Sequence, residues 1–279
     1  MTDAPDQYGV AGHPVAHSWS PFIHGIFAKE TGQSMVYRLY DFTPEEFRER
    51  VVEFFQGGGR GLNVTLPHKV AAVDVANELT PRAARAQAVN TLALQGDGRL
   101  LGDNTDGAGL VRDLCDNFNV VITRRRILVI GAGGATRGVI APLMALEPLE
   151  LIIANRTAEK ARTLAGDFQD LGPVSGVGFA YVPGGTFDVI INATSASLSG
   201  EVPDIPVGVI GEDTVCYDMA YGKADTAFTQ WAVQQGCSHA LQGWGMLVEQ
   251  AAESFRVWRG VRPPTGPVLT ALKERAARA

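Results

Sequence analysis

Cysteine is scarce: Cys115, Cys216 and Cys237 are the only three in 279 residues. They are odd in number, widely spaced and form no CxxC pair. Neither a disulfide framework nor a zinc site is indicated, and a reducing cytoplasm is the expected location. Long apolar runs are missing as well. No stretch of about 18 apolar residues occurs, so no membrane span is expected. Met1 to Val10 is polar and acidic and lacks the basic-then-apolar order of a secretion signal. Positive charge is thin and dispersed: 24 Lys and Arg stand against 30 Asp and Glu, for a formal charge of −6. Only Arg124, Arg125 and Arg126 run together, and they read as a solvated lead-in to the strand that follows. Without a basic stripe a nucleic-acid partner is not expected. His13 and His17 lie among Gly and Pro with no HExxH pattern, which argues against a metal site.

What is present is a 46% hydrophobic fraction and 32 glycines, material for real cores joined by many tight turns. At this length two domains are the default. In the first half a strand is predicted over Tyr8–Gly12, then a helix from Pro21 to Thr31 capped by Ser20. A strand over Met35–Asp41 follows, then a helix opened by Thr43 and running to about Phe55, then a strand over Gly61–Thr65. A helical pattern starts at His68, and Val89–Leu94 with Leu100–Gly102 forms a hairpin around Gly96-Asp97-Gly98. Strands alternating with helices predict an α/β fold with a mainly parallel sheet. Near Asp106 a second series begins: a helix over Gly107–Asn117, a strand over Arg126–Ile130 and a helix over Thr136–Leu146. Its further strands fall at Leu149–Ala154, Val189–Asn192 and Thr214–Asp218. Helices over Met246–Trp258 and Pro267–Arg278 come last.

The second series carries a nucleotide signal. Gly131, Ala132, Gly133, Gly134 and Ala135 follow an apolar strand and precede a helix, with Thr136 in place of the third glycine of G-x-G-x-x-G. Such a turn lets a pyrophosphate approach the backbone and the free N–H groups of a helix start. Asn155 lies 24 residues after Gly131, where an acidic residue would bind a ribose 2′-hydroxyl. Instead Asn155, Arg156 and Thr157 occur there, with Lys160 a helical turn on. A guanidinium and a hydroxyl suit a 2′-phosphate, which favours NADP over NAD.

In the first half, Ser18 and Ser20 lie two apart in an extended stretch and can face one side of a pocket, although Ser20 could equally be only a helix cap. Asn63 and Thr65 alternate with apolar neighbours before Pro67 ends the strand and presents Lys69. Strand C-terminal ends are where parallel sheets place ligands, and a lysine there can serve as general acid or base. By itself it would read as a solvated helix-start residue. Asn90, Asp103, Asn104, Thr105 and Asp106 add amides, hydroxyls and carboxylates, the inventory for holding a polyhydroxylated ring acid.

The ordered motifs GHPVAHSWSP, NVTLPHK, AVNT, GDNTDG, GAGGATRG, ANRT, INATS, CYDMAY and GMLVEQAA resemble the shikimate dehydrogenase (shikimate/quinate dehydrogenase) family over nearly the whole chain. The resemblance implies an α/β substrate domain, a Rossmann NADP domain and a C-terminal helical segment returning to the first. The expected division is 1–106 plus 243–279 for the substrate domain and 107–242 for the NADP domain. It implies that Ser18 and Ser20 hold a substrate carboxylate while Thr65, Asn90 and Asp106 hold ring hydroxyls. Lys69 would be the acid/base group with Asp106 as its partner, the two meeting beside the nicotinamide in a groove dividing the domains. Tyr221 and Gln250 would close over the substrate. Gly131 to Ala135, Asn155, Arg156, Thr157, Lys160, Met219 and Gly243 would line NADP. The implied reaction is the reversible reduction of 3-dehydroshikimate to shikimate, and a homodimer is one assembly compatible with it. Rival readings are a quinate enzyme using NAD or both cofactors, a non-catalytic NADP-binding regulator, and an unrelated reductase sharing only the Rossmann half. Five residues depart from the family pattern: Gln87 before AVNT and Ser197 after NATS each replace Gly, Gln242 and Trp244 replace the common Asp and Leu, and Lys160 stands where several members carry Arg, which would loosen the 2′-phosphate clamp.

Overall fold

The structure, a computed structural model, describes residues 4–278. It divides into two compact units, the chain up to Gly109 together with Val248–Arg278, and Leu110–Leu247.

The first unit opens with β1 (Asp6–Gly12), α1 (Ser20–Glu30), β2 (Met35–Asp41), α2 (Phe47–Gln56) and β3 (Gly59–Val64). Next come β4 (Glu78–Leu79), α3 (Pro81–Ala86), β5 (Thr91–Leu94), β6 (Leu100–Asp103) and α4 (Asp106–Arg112). Its six strands order as β2-β1-β3-β5-β6-β4. The sheet is mixed rather than mainly parallel. β1 runs parallel to β2 and β3, whereas the tight hairpin makes β5 antiparallel to both β3 and β6. The inner faces bury Ala11, Phe47, Val51, Leu62, Val64 and Leu92 in one core.

Three local expectations are corrected here. Ser20 does not cap α1 but is its first residue, with Trp19 in the cap position. The Ser18 hydroxyl accepts from the Ser20 amide (3.3 Å), which draws the helix start one residue earlier. Thr43 accepts from the Glu46 amide (3.4 Å) and so closes the turn before α2, which begins only at Phe47. No α-helix follows His68; a 3₁₀ turn covers Ala71–Asp74. There the Lys69 carbonyl is spent on the Val89 amide (2.8 Å) instead of on a helical partner.

The second unit contains β7 (Arg126–Ile130), α5 (Gly134–Met144), β8 (Glu150–Asn155), α6 (Ala158–Gly166), β9 (Val174–Gly178) and β10 (Val189–Asn192). It continues with β11 (Val215–Asp218), α7 (Ala227–Gln234) and β12 (His239–Gln242). All strand pairings are parallel, in the order β9-β8-β7-β10-β11-β12. Counted from β7, that is the 3-2-1-4-5-6 order of a doubly wound dinucleotide fold. Strand alternation divides the core: Ile127, Val129, Leu151, Ile153 and Ile191 pack on one face, and Leu128, Ile130, Ile152 and Ile190 on the other. Both faces are buried, as a parallel sheet requires. α4 continues into a π turn over Asp113–Asn117, which the helical pattern alone did not reveal. Arg126 is more than a solvated lead-in: its guanidinium pairs with Glu150 (2.6 Å) and lies 4.5 Å from the Phe187 ring. α8 (Trp244–Arg259) and α9 (Gly266–Arg278) end the described chain. Among the described residues no helix is long and apolar enough to cross a membrane.

Candidate active site

In the first unit, polar side chains from six elements form a run of polar contacts. It starts at the beginning of α1, where the Ser18 hydroxyl donates to that of Ser20 (3.1 Å). Ser20 in turn bears on the phenol of Tyr37, whose pKa is raised by burial with the Ser20 hydroxyl opposing. The Tyr37 hydroxyl donates to Asn63 Oδ1 (2.7 Å). Asn63 Nδ2 reaches Thr91 Oγ1 (3.2 Å) and, from α8, Ser254 Oγ (3.0 Å). The Thr91 hydroxyl donates to Asn90 Oδ1 (2.8 Å), and Asn90 Nδ2 donates to Asp106 Oδ1 (2.8 Å) and toward Gln250 Oε1 (3.3 Å). Asp106 Oδ2 then accepts from Lys69 Nζ at 2.5 Å. Asn63, Asn90, Thr91, Thr105, Asp106 and Ser254 are all buried, so each hydrogen bond excludes competition from water.

Lys69 is fixed by its neighbours in sequence. His68 is buried, stacks on Phe47 with ring centroids 4.3 Å apart, and donates from Nε2 to the Phe42 carbonyl (2.7 Å). Desolvation lowers the His68 pKa, which keeps that ring a neutral donor. Lys69 itself keeps 15% of its side chain exposed against 5% for Asp106, so the ammonium remains reachable while the carboxylate is enclosed. Asp106 is the first residue of α4, where a helix start favours negative charge. Thr65 is half-buried just past β3, with its amide on the Ala11 carbonyl (2.9 Å). Gly12 makes room for it: a Cβ there would lie 2.4 Å from Thr65 Cγ2.

Thus the structure brings Lys69, Asp106, Asn90 and Gln250 together directly, while Ser18 and Ser20 form their own hydroxyl pair near Tyr37, which bonds to Asn63. Sequence reasoning passed over Tyr37 and Ser254 and included Thr91 and Thr105 only as members of their motifs, with no role of their own. The usable signal was Ser254 one helical turn after Gln250, polar positions on a helix otherwise filled there by Ala251, Ala252 and Phe255.

The second unit places the glycine turn at the switch point, where β7 and β10 end side by side and the chain departs in opposite directions. Gly131 takes φ +108°, and a Cβ would come within 3.1 Å of Thr194 Cγ2. Over Gly133 an added Cβ would meet nothing within 4 Å, and α5 starts with no side-chain cap. Bare backbone and an uncapped helix start are what a pyrophosphate needs, so Gly131, Ala132, Gly133, Gly134 and Ala135 fit a dinucleotide. Asn155 ends β8 with its amide on the Thr157 carbonyl (3.0 Å), and Arg156, Thr157 and Lys160 are arranged around the exposed start of α6. A guanidinium, an ammonium and a hydroxyl there fit a 2′-phosphate.

Beyond β11, Asp218 gathers the loop that carries Met219 and Tyr221. Its carboxylate accepts from Ser197 Oγ and Thr226 Oγ1 (2.6 Å each), Asn192 Nδ2 and the Ala220 amide (3.1 Å each). Ser197 is therefore tied to the same carboxylate. Gly243 is forced by Met219: a Cβ would lie 2.5 Å from the Met219 carbonyl oxygen. Tyr221 packs on Trp244, and Gln242 holds the Gly222 amide (2.8 Å).

A doubly wound sheet with a fitted phosphate turn in one unit, and a lysine–carboxylate pair among hydroxyls and amides in the other, define a two-domain dinucleotide-dependent oxidoreductase. Comparison with known families narrows the class. Residues 10–92 match the shikimate dehydrogenase substrate binding domain, 114–199 the shikimate/quinate 5-dehydrogenase family and 243–273 the shikimate 5′-dehydrogenase C-terminal domain. A curated relative named shikimate dehydrogenase (NADP(+)), from Methylococcus capsulatus, is 52% identical over 269 residues, covering 96% of each chain. One of the same name from Aeromonas salmonicida is 54% identical, covering 96% of this chain and 97% of its own. The crystal structure of shikimate 5-dehydrogenase from Thermus thermophilus in complex with NADP(H) and shikimate matches with a TM-score of 0.83 and 31% identity. That match covers 97% of this chain and 99% of the other. The chain belongs to the shikimate dehydrogenase family.

Proposed function

We propose that this protein catalyses the reversible NADPH-dependent reduction of 3-dehydroshikimate to shikimate. Residues 1–106 and 243–279 then serve as its substrate domain and 107–242 as its NADP domain. The observation that supports it most is the series of polar contacts from Tyr37 to Lys69, with the Ser18–Ser20 hydroxyl pair near its Tyr37 end. It offers hydroxyls at one end for a carboxylate, amides in the middle for ring hydroxyls, and an ion pair at the other end for proton transfer. NADPH, when bound along Gly131–Ala135, supplies the hydride. The chain's own residues do the rest. Ser18 and Ser20 bind the carboxylate, Thr65, Asn90 and Asp106 hold the ring hydroxyls and orient the ketone carbon, and Tyr221 and Gln250 close over the substrate. Lys69 Nζ gives a proton to the oxygen as it becomes an alkoxide, and takes one back in the reverse direction. Asp106 keeps the ammonium in place. Asn155, Arg156, Thr157 and Lys160 select the 2′-phosphate, and Met219 and Gly243 border the nicotinamide end. The reading carries a cytoplasmic location and a small-molecule partner, and it admits a homodimer.

The test is nicotinamide absorbance with purified protein, shikimate or quinate, and NADP⁺ or NAD⁺. The highest kcat/KM is expected for shikimate with NADP⁺. A preference for quinate or NAD⁺ would replace the substrate or cofactor assignment, and inactivity with all four pairs would leave only a binding protein.

A further inference from the structure

The loop that carries Tyr221 has no regular secondary structure between β11 and α7. A loop of that kind must lose backbone freedom to present one side chain, unless other groups already hold it. Asp218 ties both its ends, through the Ala220 amide and the Thr226 hydroxyl. Its middle is tied by two residues that depart from the family pattern. Gln242 Oε1 accepts from the Gly222 amide at 2.8 Å, and its Nε2 donates to the Ala224 carbonyl at 3.2 Å and toward Asp225 Oδ1 at 3.4 Å. Two residues on, the Trp244 ring is 8% exposed and packs against the Tyr221 ring, centroids 4.6 Å apart at 42°. An Asp at 242 would have no amide donor for the Ala224 carbonyl, and a Leu at 244 would have no ring face.

We infer that Gln242 and Trp244 are positioning residues that hold the Tyr221 loop, and thereby set substrate affinity rather than cofactor affinity. Gln242 fixes the backbone beside Tyr221 from both sides, as donor and as acceptor. Trp244 fixes the direction of the ring, and so of the hydroxyl. Burial pushes the Tyr221 pKa up to about 12, which keeps that hydroxyl a neutral donor over the working pH range. The inference rests on the role given above to Tyr221 in closing over the substrate.

The experiment measures KM for shikimate and for NADP⁺, with kcat, in wild type, Trp244→Leu, Trp244→Phe, Gln242→Ala, Tyr221→Phe and the double variant Tyr221→Phe/Trp244→Leu. An aromatic pair and a hydrogen bond of ordinary strength each convert to about a three- to tenfold change. Trp244→Leu and Gln242→Ala are therefore expected to raise the shikimate KM by about that factor and to leave the NADP⁺ KM within about twofold. Trp244→Phe, which keeps a ring, recovers most of the loss. In the Tyr221→Phe background Trp244→Leu costs less than about twofold, because the hydroxyl it would have aimed is gone. Equal costs in both backgrounds, an unchanged shikimate KM in Trp244→Leu, or a rise confined to NADP⁺ would overturn the inference while wild type stays active. A wild type that does not oxidise shikimate with NADP⁺ would overturn the functional reading and this inference with it.

Discussion

Lys69 and Asp106 carry the chemical claim at the level of single residues. An ammonium 2.5 Å from a nearly enclosed carboxylate is held in place without being hidden. Lys69→Ala is expected to lower kcat at least about 100-fold, the usual cost of losing a general acid or base, with the shikimate KM within a few-fold of wild type. Wild-type turnover in that variant would remove the lysine from the reaction. These two residues were legible in the sequence because they stand in short motifs at element ends. Tyr37 was not, since it falls inside a strand-like stretch where a polar group reads as solvent-facing, and Thr91 entered only as the last residue of the AVNT motif. Their partners come from distant segments, 26 residues away for Tyr37 with Asn63 and 163 for Thr91 with Ser254. Short-range patterns hold no trace of such pairs. The departures are clearer in three dimensions. Gln87 takes a left-handed φ of 48° at the end of α3, where a glycine would carry no strain, and its side chain donates to the Ala84 carbonyl (2.7 Å).

Secondary-structure elements show the same division. β7, β10 and α9 could be read closely because continuous apolar runs or a clear helical period mark them. β9 was missed because two of its five residues are glycine, and β12 because His239 and Gln242 make half of it polar. The π turn after α4 was missed for another reason: its cause lies elsewhere. There Asp113, fully buried, accepts from the Tyr217 hydroxyl (2.6 Å), Asn117 Nδ2 (2.8 Å) and the Met246 amide (3.0 Å). The carboxylate thus serves the start of α8 as a cap supplied from another helix. Gly245 is required beside it, since a Cβ would fall 1.8 Å from Asp113 Oδ1. Asp113→Ala strips the Tyr217 hydroxyl and the Met246 amide of their acceptor and should cost about 3 kcal/mol of unfolding free energy in a urea titration. A loss below about 1 kcal/mol would mean that α8 does not depend on this carboxylate.

At the level of the whole molecule, acid is the expected weakness. His24 is fully buried between Tyr37, stacked at 4.3 Å, and Phe27, with neither ring nitrogen hydrogen-bonded, and desolvation lowers its pKa to about 3. A histidine that is harder to protonate in the folded state leaves the unfolded state binding more protons. Stability from this residue is therefore complete above about pH 6.5 and is lost as the pH falls toward 3. Glu253, held down to about 2 by Arg256 and Arg82 against its burial, adds a loss below about pH 4.5. Between pH 6 and pH 4 the His24 share is about 2 kcal/mol. His24→Phe should flatten the pH dependence of the urea midpoint by that amount, and an unchanged slope would show that the ring is protonated without penalty.

The first unit also draws on both ends of the chain. Ser254 completes the Asn63 and Thr91 contacts, Trp258 donates to the Leu92 carbonyl (2.9 Å), and Arg259 pairs with Asp6 (2.5 Å). During synthesis the segment up to Gly109 leaves the ribosome without these partners. At about 5–20 residues per second, Val248 follows it by roughly ten to thirty seconds. Leu110–Leu247 has no such wait. Nascent chains of this protein should therefore carry a finished nucleotide fold beside an unfinished substrate fold, and that interval is when the latter most needs a chaperone.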